Sequence, residues 1–360
     1  MNLEKMSIKK NRKIKFIEAI NECILDEMAR NKNLVTYGLG INDPKRIFGS
    51  TRGLVEKFGK QRVFDVPTSE NALTGIGLGL SLGGNPVLIT HQRADFFLLA
   101  LDQLINSISK WNYMFGGNSG LVNITIRLIV GRGWGQGPTH SQNLQSVFSH
   151  FPGLKVVMPT TPYNAKGLLT ASLRDPNPII FLEHRWLHNS EGSVPRRNYL
   201  LDLHKAKVLK RGKDITLISM SYMTPEIKSI YENLYNLKID FEHIDLICTK
   251  PLDKKTIIKS VKKTGRVLVL DTGFKSNSIS AEIITLINEE CFKYLKSKPQ
   301  RITVPDIPEP ASYGLTKYYY ADRDIIIRKI AEILKIKIKK LPVRKFVHHD
   351  VPGIWFKGPF

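Results

Sequence analysis

Acidic residues are scarce in this chain. Among 360 residues, 32 are Asp or Glu against 54 Lys or Arg, a formal net charge of +22 at pH 7. Phosphate neutralisation is one use for such an excess. No helix-turn-helix, zinc or RNP-type signature accompanies it, and the lysines are spread over both halves, with denser runs at Lys9 to Lys15 and Lys335 to Lys345. No specific nucleic-acid function is therefore expected. A basic surface equally attracts an acidic partner protein or a phosphorylated substrate. Cysteine is also sparse: Cys23, Cys248 and Cys291 stand far apart and form no Cys-x-x-Cys. That argues against a disulfide framework or a cysteine zinc site and fits a reducing cytoplasm. No run of about 18 apolar residues occurs, so no membrane span is expected. Met1 to Lys15 has no apolar signal core. The glycine-rich stretch Gly131 to Gly137 lacks the Gly-Lys-Ser/Thr of a phosphate loop.

What is present is 42% hydrophobic residue, in a chain suited to two cores rather than one. Phe16, Ile17, Ile20, Ile24 and Met28 make a helical stripe within Lys13 to Asn31. Leu34 to Gly38, Val63 to Val66, Asn85 to Thr90, Val122 to Val130, Leu154 to Pro159 and Ile179 to Glu183 read as strands, with helices over Leu98 to Trp111 and Ala165 to Asp175. Beyond a polar segment, strands recur at Ile215 to Ser219, Phe241 to Ile247 and Val267 to Asp271. Helices recur at Thr224 to Asn236, Lys254 to Thr264, Ser278 to Leu295 and Asp322 to Ile336. Such alternation implies an α/β fold of two open, mostly parallel sheet domains. The boundaries read as an arm and helix at 1–32, a first domain at 33–189, a linker at 190–206, a second domain at 207–337 and a basic tail at 338–360. His348, His349 and Asp350 are adjacent in that tail, a poor geometry for one metal ion, and the tail reads as a surface arm that docks a neighbour.

The stretch Arg62 to Glu70 organises the first domain. Pro67 ends a short strand, because proline has no N–H to give a ladder. Thr68 or Ser69 can cap the helix that follows. That helix is followed along its length by Gly75, Gly77, Gly79, Gly83 and Gly84. Glycine weakens a helix, so something is expected to pack close against it. Glu70 is the only acid between Asp65 and Asp95. It stands at a strand-to-helix junction, the edge where open α/β sheets place ligands. On local pattern alone the plainer reading is a first-turn acid favoured by the helix dipole. Phe96 reads first as core packing. Arg93 reads as a carboxylate or phosphate binder and equally as a surface ion pair with Asp95. His140, on the glycine-rich loop, reads as a structural donor, although histidine titrates near neutrality and can move protons.

Val66-Pro67-Thr68-Ser69-Glu70 and the small-residue helix behind it resemble the beta subunit of the thiamine-diphosphate-dependent first component of 2-oxo-acid dehydrogenase complexes, where a strand ends in Thr-Pro-x-x-Glu. The resemblance continues through Ala100 to Asn106, Gly137-Pro138-Thr139-His140-Ser141-Gln142, Pro152 to Val157 and Ala165-Lys166-Gly167-Leu168. It covers roughly residues 30 to 335 in several ordered motifs. It implies a pyrimidine-binding domain followed by a transketolase C-terminal-like domain. It also implies roles. Glu70 would face N1′ of the cofactor and share a proton with it, promoting the imino tautomer that removes the C2 proton. Phe96 would stack on the pyrimidine ring. His140 would be an active-site residue able to stabilise a substrate alkoxide. The polar His91 and Arg93, in a loop that is usually apolar or aromatic in the family, would mark a substrate-specific change. The end of the helix at Asp175 resembles a potassium site built mostly from carbonyls, with Ile124, Ser172, Leu173, Asp175 and Asn177 as ligands; a helix end bonded to water reads as well. Asp271-Thr272-Gly273 resembles the family's acid-x-Gly loop.

Three departures qualify the resemblance. Asn164 stands where the family often has an acid. Leu39 stands where the family has a glutamate linked to communication between paired sites. No Gly-Asp-Gly occurs, the motif that holds magnesium and diphosphate in enzymes of this type. The chain therefore reads as half an enzyme. Magnesium would be held mainly by an alpha subunit in an α2β2 assembly, which would decarboxylate a 2-oxo acid, with a lipoyl acyltransferase as one acceptor. Two alternatives stay open. One is a two-subunit transketolase-like or carboligating enzyme on a sugar or phosphorylated substrate, which His91 and Arg93 would suit. The other is a non-catalytic regulatory paralogue, for which Leu39 speaks and against which Glu70 and His140 speak.

Overall fold

Two open sheets carry the chain in this computed structural model, which describes residues 12–132, 135–338, 355, 356 and 358. In the first sheet seven strands lie in the order Cys248–Lys250, Lys155–Val157, Ile179–His184, Ile124–Val130, Val87–His91, Val35–Gly38 and Val63–Asp65. All neighbours are parallel except the first pair. The three strands Val87–His91, Ile124–Val130 and Ile179–His184 are buried along their whole length, as parallel strands covered on both faces must be. The second sheet runs Gln300–Val304, Val267–Phe274, Ile215–Ser219, Phe241–Asp245 and Lys207–Lys210, with only the last strand antiparallel. The expected α/β architecture of two mostly parallel sheets is what the molecule has.

The two halves are stitched together more closely than the sequence suggests. Cys248–Lys250 leaves the second half to pair with the edge of the first sheet. Within the expected linker, Glu191–Val194 forms a strand that pairs with Arg12–Lys15. The Phe16–Arg30 helix buries the expected apolar stripe, packing on the Pro162–Arg174 helix. Glu27 lies in that buried stripe and is held by Arg174 at 2.6 Å and Arg30 at 2.9 Å. Two residues of the tail lie against their own chain: Trp355 Nε1 donates to Glu226 Oε2 at 2.6 Å, and Phe356 packs on Trp186. His348, His349 and Asp350 lie outside the described residues.

Two expected helices are broken. In place of Leu98 to Trp111 there are short helical pieces, with a wide turn at Gln103–Ile108 that brings Ser109 N onto Leu104 O at 2.9 Å. The Ser109 carbonyl is turned against Gly153, where a Cβ would lie 1.9 Å from it. Thr224 to Asn236 is two helices, Met223–Ser229 and Tyr231–Asn236. The three cysteines are buried and free. Among the described residues no helix is long and apolar enough to cross a membrane.

Candidate active site

The register of the first sheet places Gly38 beside Asp65 on one side and Thr90 on the other. Three strands thus end together, and the chain beyond each end lines one cleft. Gly38-Leu39, Pro67 to Glu70, and His91, Gln92 and Phe96 line a narrow cleft there. The Glu70–Leu82 helix is drawn down onto this sheet. Tyr37 Oη donates to Leu73 O at 2.7 Å. A Cβ on Gly77 would lie 2.7 Å from that hydroxyl and 2.8 Å from Ile89 Cδ1. Gly77 is therefore the glycine that close packing demands, while Gly79 and Gly84 meet nothing.

Glu70, the first residue of this helix, is 8% exposed. Its carboxylate makes no ion pair and no side-chain hydrogen bond among the described residues; only its backbone carbonyl is engaged, by Thr74 Oγ1 at 2.8 Å. Leu73, Ile89 and Phe96 supply apolar walls, and His91 and Gln92 supply polar ones. His91 packs its ring 4.9 Å from that of Phe97. Burial pushes its imidazole down to about 4, so it is neutral at neutral pH.

His140 reaches the same place from the loop after the Ile124–Val130 strand. Its backbone N–H closes a turn on Gly137 O at 3.2 Å. Its ring stands edge-on to Phe96, 5.3 Å between centroids, and Thr139 Oγ1 lies 2.8 Å from its Nδ1. Glu70, Phe96 and His140 are thus brought together, Phe96 being the shared wall. Arg93 is 5% exposed. Its guanidinium bonds Gly131 O at 2.8 Å and also Gln136 Oε1. The surface pair with Asp95 does not form, because Arg93 is buried and Asp95 Oδ1 instead accepts from Gln142 Nε2 at 2.9 Å.

Residues 12–189 match the family model of the transketolase pyrimidine-binding domain, and residues 204–326 that of the transketolase C-terminal domain. The 2-oxoisovalerate dehydrogenase subunit beta of Bacillus subtilis (strain 168) is 35% identical over 322 residues, 88% of this chain and 98% of its own length. The pyruvate dehydrogenase E1 component subunit beta of Cyanidium caldarium is 36% identical over 320 residues, 89% of this chain and 98% of its own. The chain belongs to the beta-subunit family of the thiamine-diphosphate-dependent, two-subunit 2-oxo-acid dehydrogenases. A split-gene transketolase solved as an inactive beta4 tetramer shares the fold, with a TM-score of 0.73 over 90% of this chain and 99% of that one at 18% identity.

Other residues singled out in this beta-subunit chain fall as follows. Asp175 is ion-paired with Lys155 and accepts from Asn177 N and Nδ2 at 2.9 Å each. Its own N–H donates to Ser172 O at 3.2 Å, at the end of the helix that also carries Leu173. Ile124 opens the adjacent strand, in which Thr125 registers with Ile179. Asp271 is buried and ties the halves together, accepting from Gln145 Nε2 and Ser280 N at 2.8 Å and from Gly273 N at 3.0 Å. Asn164 Nδ2 donates to Thr160 Oγ1, which bonds the buried Asp245. Glu309 escaped the sequence reading. It is 3% exposed, takes a hydrogen bond from Tyr320 Oη and lies 3.9 Å from Arg132 Nη1. Burial pushes its carboxyl up to about 8. No local pattern could have marked it, since its surroundings are assembled from both halves of the chain.

Proposed function

We propose that this chain is the pyrimidine-side half of a two-subunit thiamine-diphosphate enzyme that decarboxylates a 2-oxo acid. The observation that carries this is Glu70, a buried carboxylate with no side-chain partner among the described residues, opening on an apolar-walled cleft. Such a wall fits an aromatic ring with a basic nitrogen turned toward the carboxylate. When bound, thiamine diphosphate supplies a nucleophilic carbon and an electron sink. Glu70 would hold and exchange a proton at a carboxylate oxygen. Phe96 and Leu73 would pack the ring and exclude water. With Thr139 Oγ1 on its Nδ1, His140 keeps Nε2 for a substrate oxygen on which negative charge develops.

The rest of the site would come from an alpha subunit in an α2β2 assembly. The chain contains no Gly-Asp-Gly, and among the described residues no three His, Cys, Asp or Glu could hold a metal, so magnesium and diphosphate contacts fall to that partner. Ile76, on the Glu70–Leu82 helix, is 53% exposed, and Leu99 and Leu121, on segments packed against this helix, are 69% and 60% exposed. Ile76 and Leu99 give the partner an apolar face along the helix that Glu70 opens, and Leu121 extends it at the far end of that helix. A cytoplasmic setting and a lipoyl carrier as acyl acceptor complete the reading. A potassium ion at residues 172–177 would have to share Asp175 with the Lys155 ammonium. The polar His91 and Gln92 in the cleft wall favour, as a second reading, a hydroxylated or phosphorylated substrate. Calorimetry tests the half-site. The chain alone should bind thiamine diphosphate and magnesium weakly or not at all, and the pair tightly. Tight, magnesium-dependent binding to the chain alone would sink the model.

A further inference from the structure

Residues 131, 132 and 135–142 are held from two directions. From its own domain, Arg93 bonds Gly131 O and Gln136 Oε1, and Asp95 takes Gln142 Nε2 and, at 3.3 Å, Gln142 N. From the second domain comes the segment around Glu309. Arg132, on the loop, donates to Pro310 O at 2.9 Å and Ala311 O at 3.5 Å, and lies 3.9 Å from the Glu309 carboxylate. Behind the turn that carries His140, Ala311 abuts Gly137: a Cβ on Gly137 would lie 3.2 Å from that of Ala311. The turn itself is closed by His140 N on Gly137 O. Glu309 is fixed in turn by Tyr320, whose ring packs 5.0 Å from that of Trp186.

We propose that Glu309 is a positioning residue for His140: from the second domain it clamps Arg132 and sets Ala311 against Gly137, holding the imidazole edge-on to Phe96 beside the Glu70 cleft. The catalytic meaning of this seat rests on the proposed function, but the seat itself does not. Arg132, Arg93, Asp95, Tyr222, Tyr319 and Tyr320 are the charged or titratable groups that face Glu309. Ionisation of Glu309 strengthens the pull of the two arginines against the push of Asp95. The loop should therefore shift as pH rises through the value near 8 to which burial raises this carboxyl.

The test is histidine-selective NMR on the full chain, with the His140 peaks assigned by their loss in His140→Gln. Phe96 displaces these peaks by its ring current in the wild type. Glu309→Ala should move them toward unshifted positions while the peaks of the remote His204 stay in place. Glu309→Gln should keep the neutral-pH positions but remove the step in their movement centred near pH 8. Ala311→Val, which leaves Glu309 intact and crowds Gly137, should displace the same peaks, so the idea stays testable if Glu309→Ala does not fold. In the assembled enzyme, Glu309→Ala should lower kcat by up to about 100-fold, the scale of a 1 Å misplacement, with cofactor affinity unchanged. Unmoved His140 peaks in folded Glu309→Ala and Ala311→Val would overturn the proposal. If the NMR effect appears but kcat does not change, the seat stands and the catalytic role of His140 fails.

Discussion

Glu70→Gln separates a catalytic carboxyl from a helix-dipole acid in one substitution. The amide keeps the size of the side chain and some hydrogen bonding but cannot exchange a proton with a ring nitrogen. General acid–base groups contribute about 10²- to 10⁴-fold. Hydrogen exchange at C2 of the bound cofactor, followed by NMR on the assembled enzyme, should therefore slow by about two orders of magnitude or more. The stability of the chain without cofactor should behave oppositely to what a structural acid would give. An acid favoured by the dipole stabilises by roughly 0.3–1 kcal/mol, which its neutral amide would lose. Glu70 makes no ion pair and no side-chain hydrogen bond among the described residues, so Glu70→Gln breaks no contact, and the chain should keep its stability. Denaturant melts of the chain alone read this second quantity. A Glu70→Gln variant that exchanges at the wild-type rate and melts earlier would return Glu70 to the dipole reading and remove the assignment of this chain as the proton-transferring half.

Two further outcomes test the scaffold. Arg127 and Glu183 are fully buried and bond at 2.6 and 3.0 Å between the strands Ile124–Val130 and Ile179–His184. Arg127→Leu should destabilise the chain by about 3–5 kcal/mol, whereas Arg127→Leu with Glu183→Leu should recover most of that in a urea melt. Burial alone would raise the Glu183 carboxyl, but Arg127 and His188 bring it down to about 2 from an ordinary 4.5. Its stabilisation is then present above pH 4.5 and lost as pH falls toward 2, so the double variant should show a shallower acid-induced loss. Gly77→Ala should force the Glu70–Leu82 helix away from Tyr37 and Ile89, at about 1–3 kcal/mol for overpacking. Equal thermal stability of Gly77→Ala and wild type would refute the close-approach account.

The strand ends and the cleft were legible because proline, glycine and apolar runs act locally. The strand ends at Asp65, just before Pro67, and the helix begins at Glu70 as the sequence pattern suggests. Helix Lys254–Thr264 runs over the expected residues, since Asp253 caps it through Thr256 N and Gly265 ends it in the left-handed region. What was not legible depends on contacts far apart in sequence. The strand Glu191–Val194 exists only through its pairing with Arg12–Lys15. The Gln103–Ile108 turn is followed by a contact of the Ser109 carbonyl with Gly153, distant in sequence. Arg93 read equally as a surface pair, because nothing near it in sequence announces Gly131 and Gln136 as partners. Glu309 is an ordinary acid between two prolines until the second domain brings it against Arg132.

The cleft joins an economy of construction to an incompleteness. One helix does two things: its inner face, through Gly77 and Leu73, sets the distance from sheet to helix, and its first residue is the carboxylate that this packing buries. A carboxylate that no side chain of its own chain meets is free to meet another group. The apolar residues left exposed on and beside the same helix also await a partner, because an uncovered patch is a standing cost in water. Both features lie on or beside one helix. The single event that would satisfy them together is the arrival of a ring-bearing cofactor held by a second subunit, which is why cofactor affinity and assembly should rise together rather than separately.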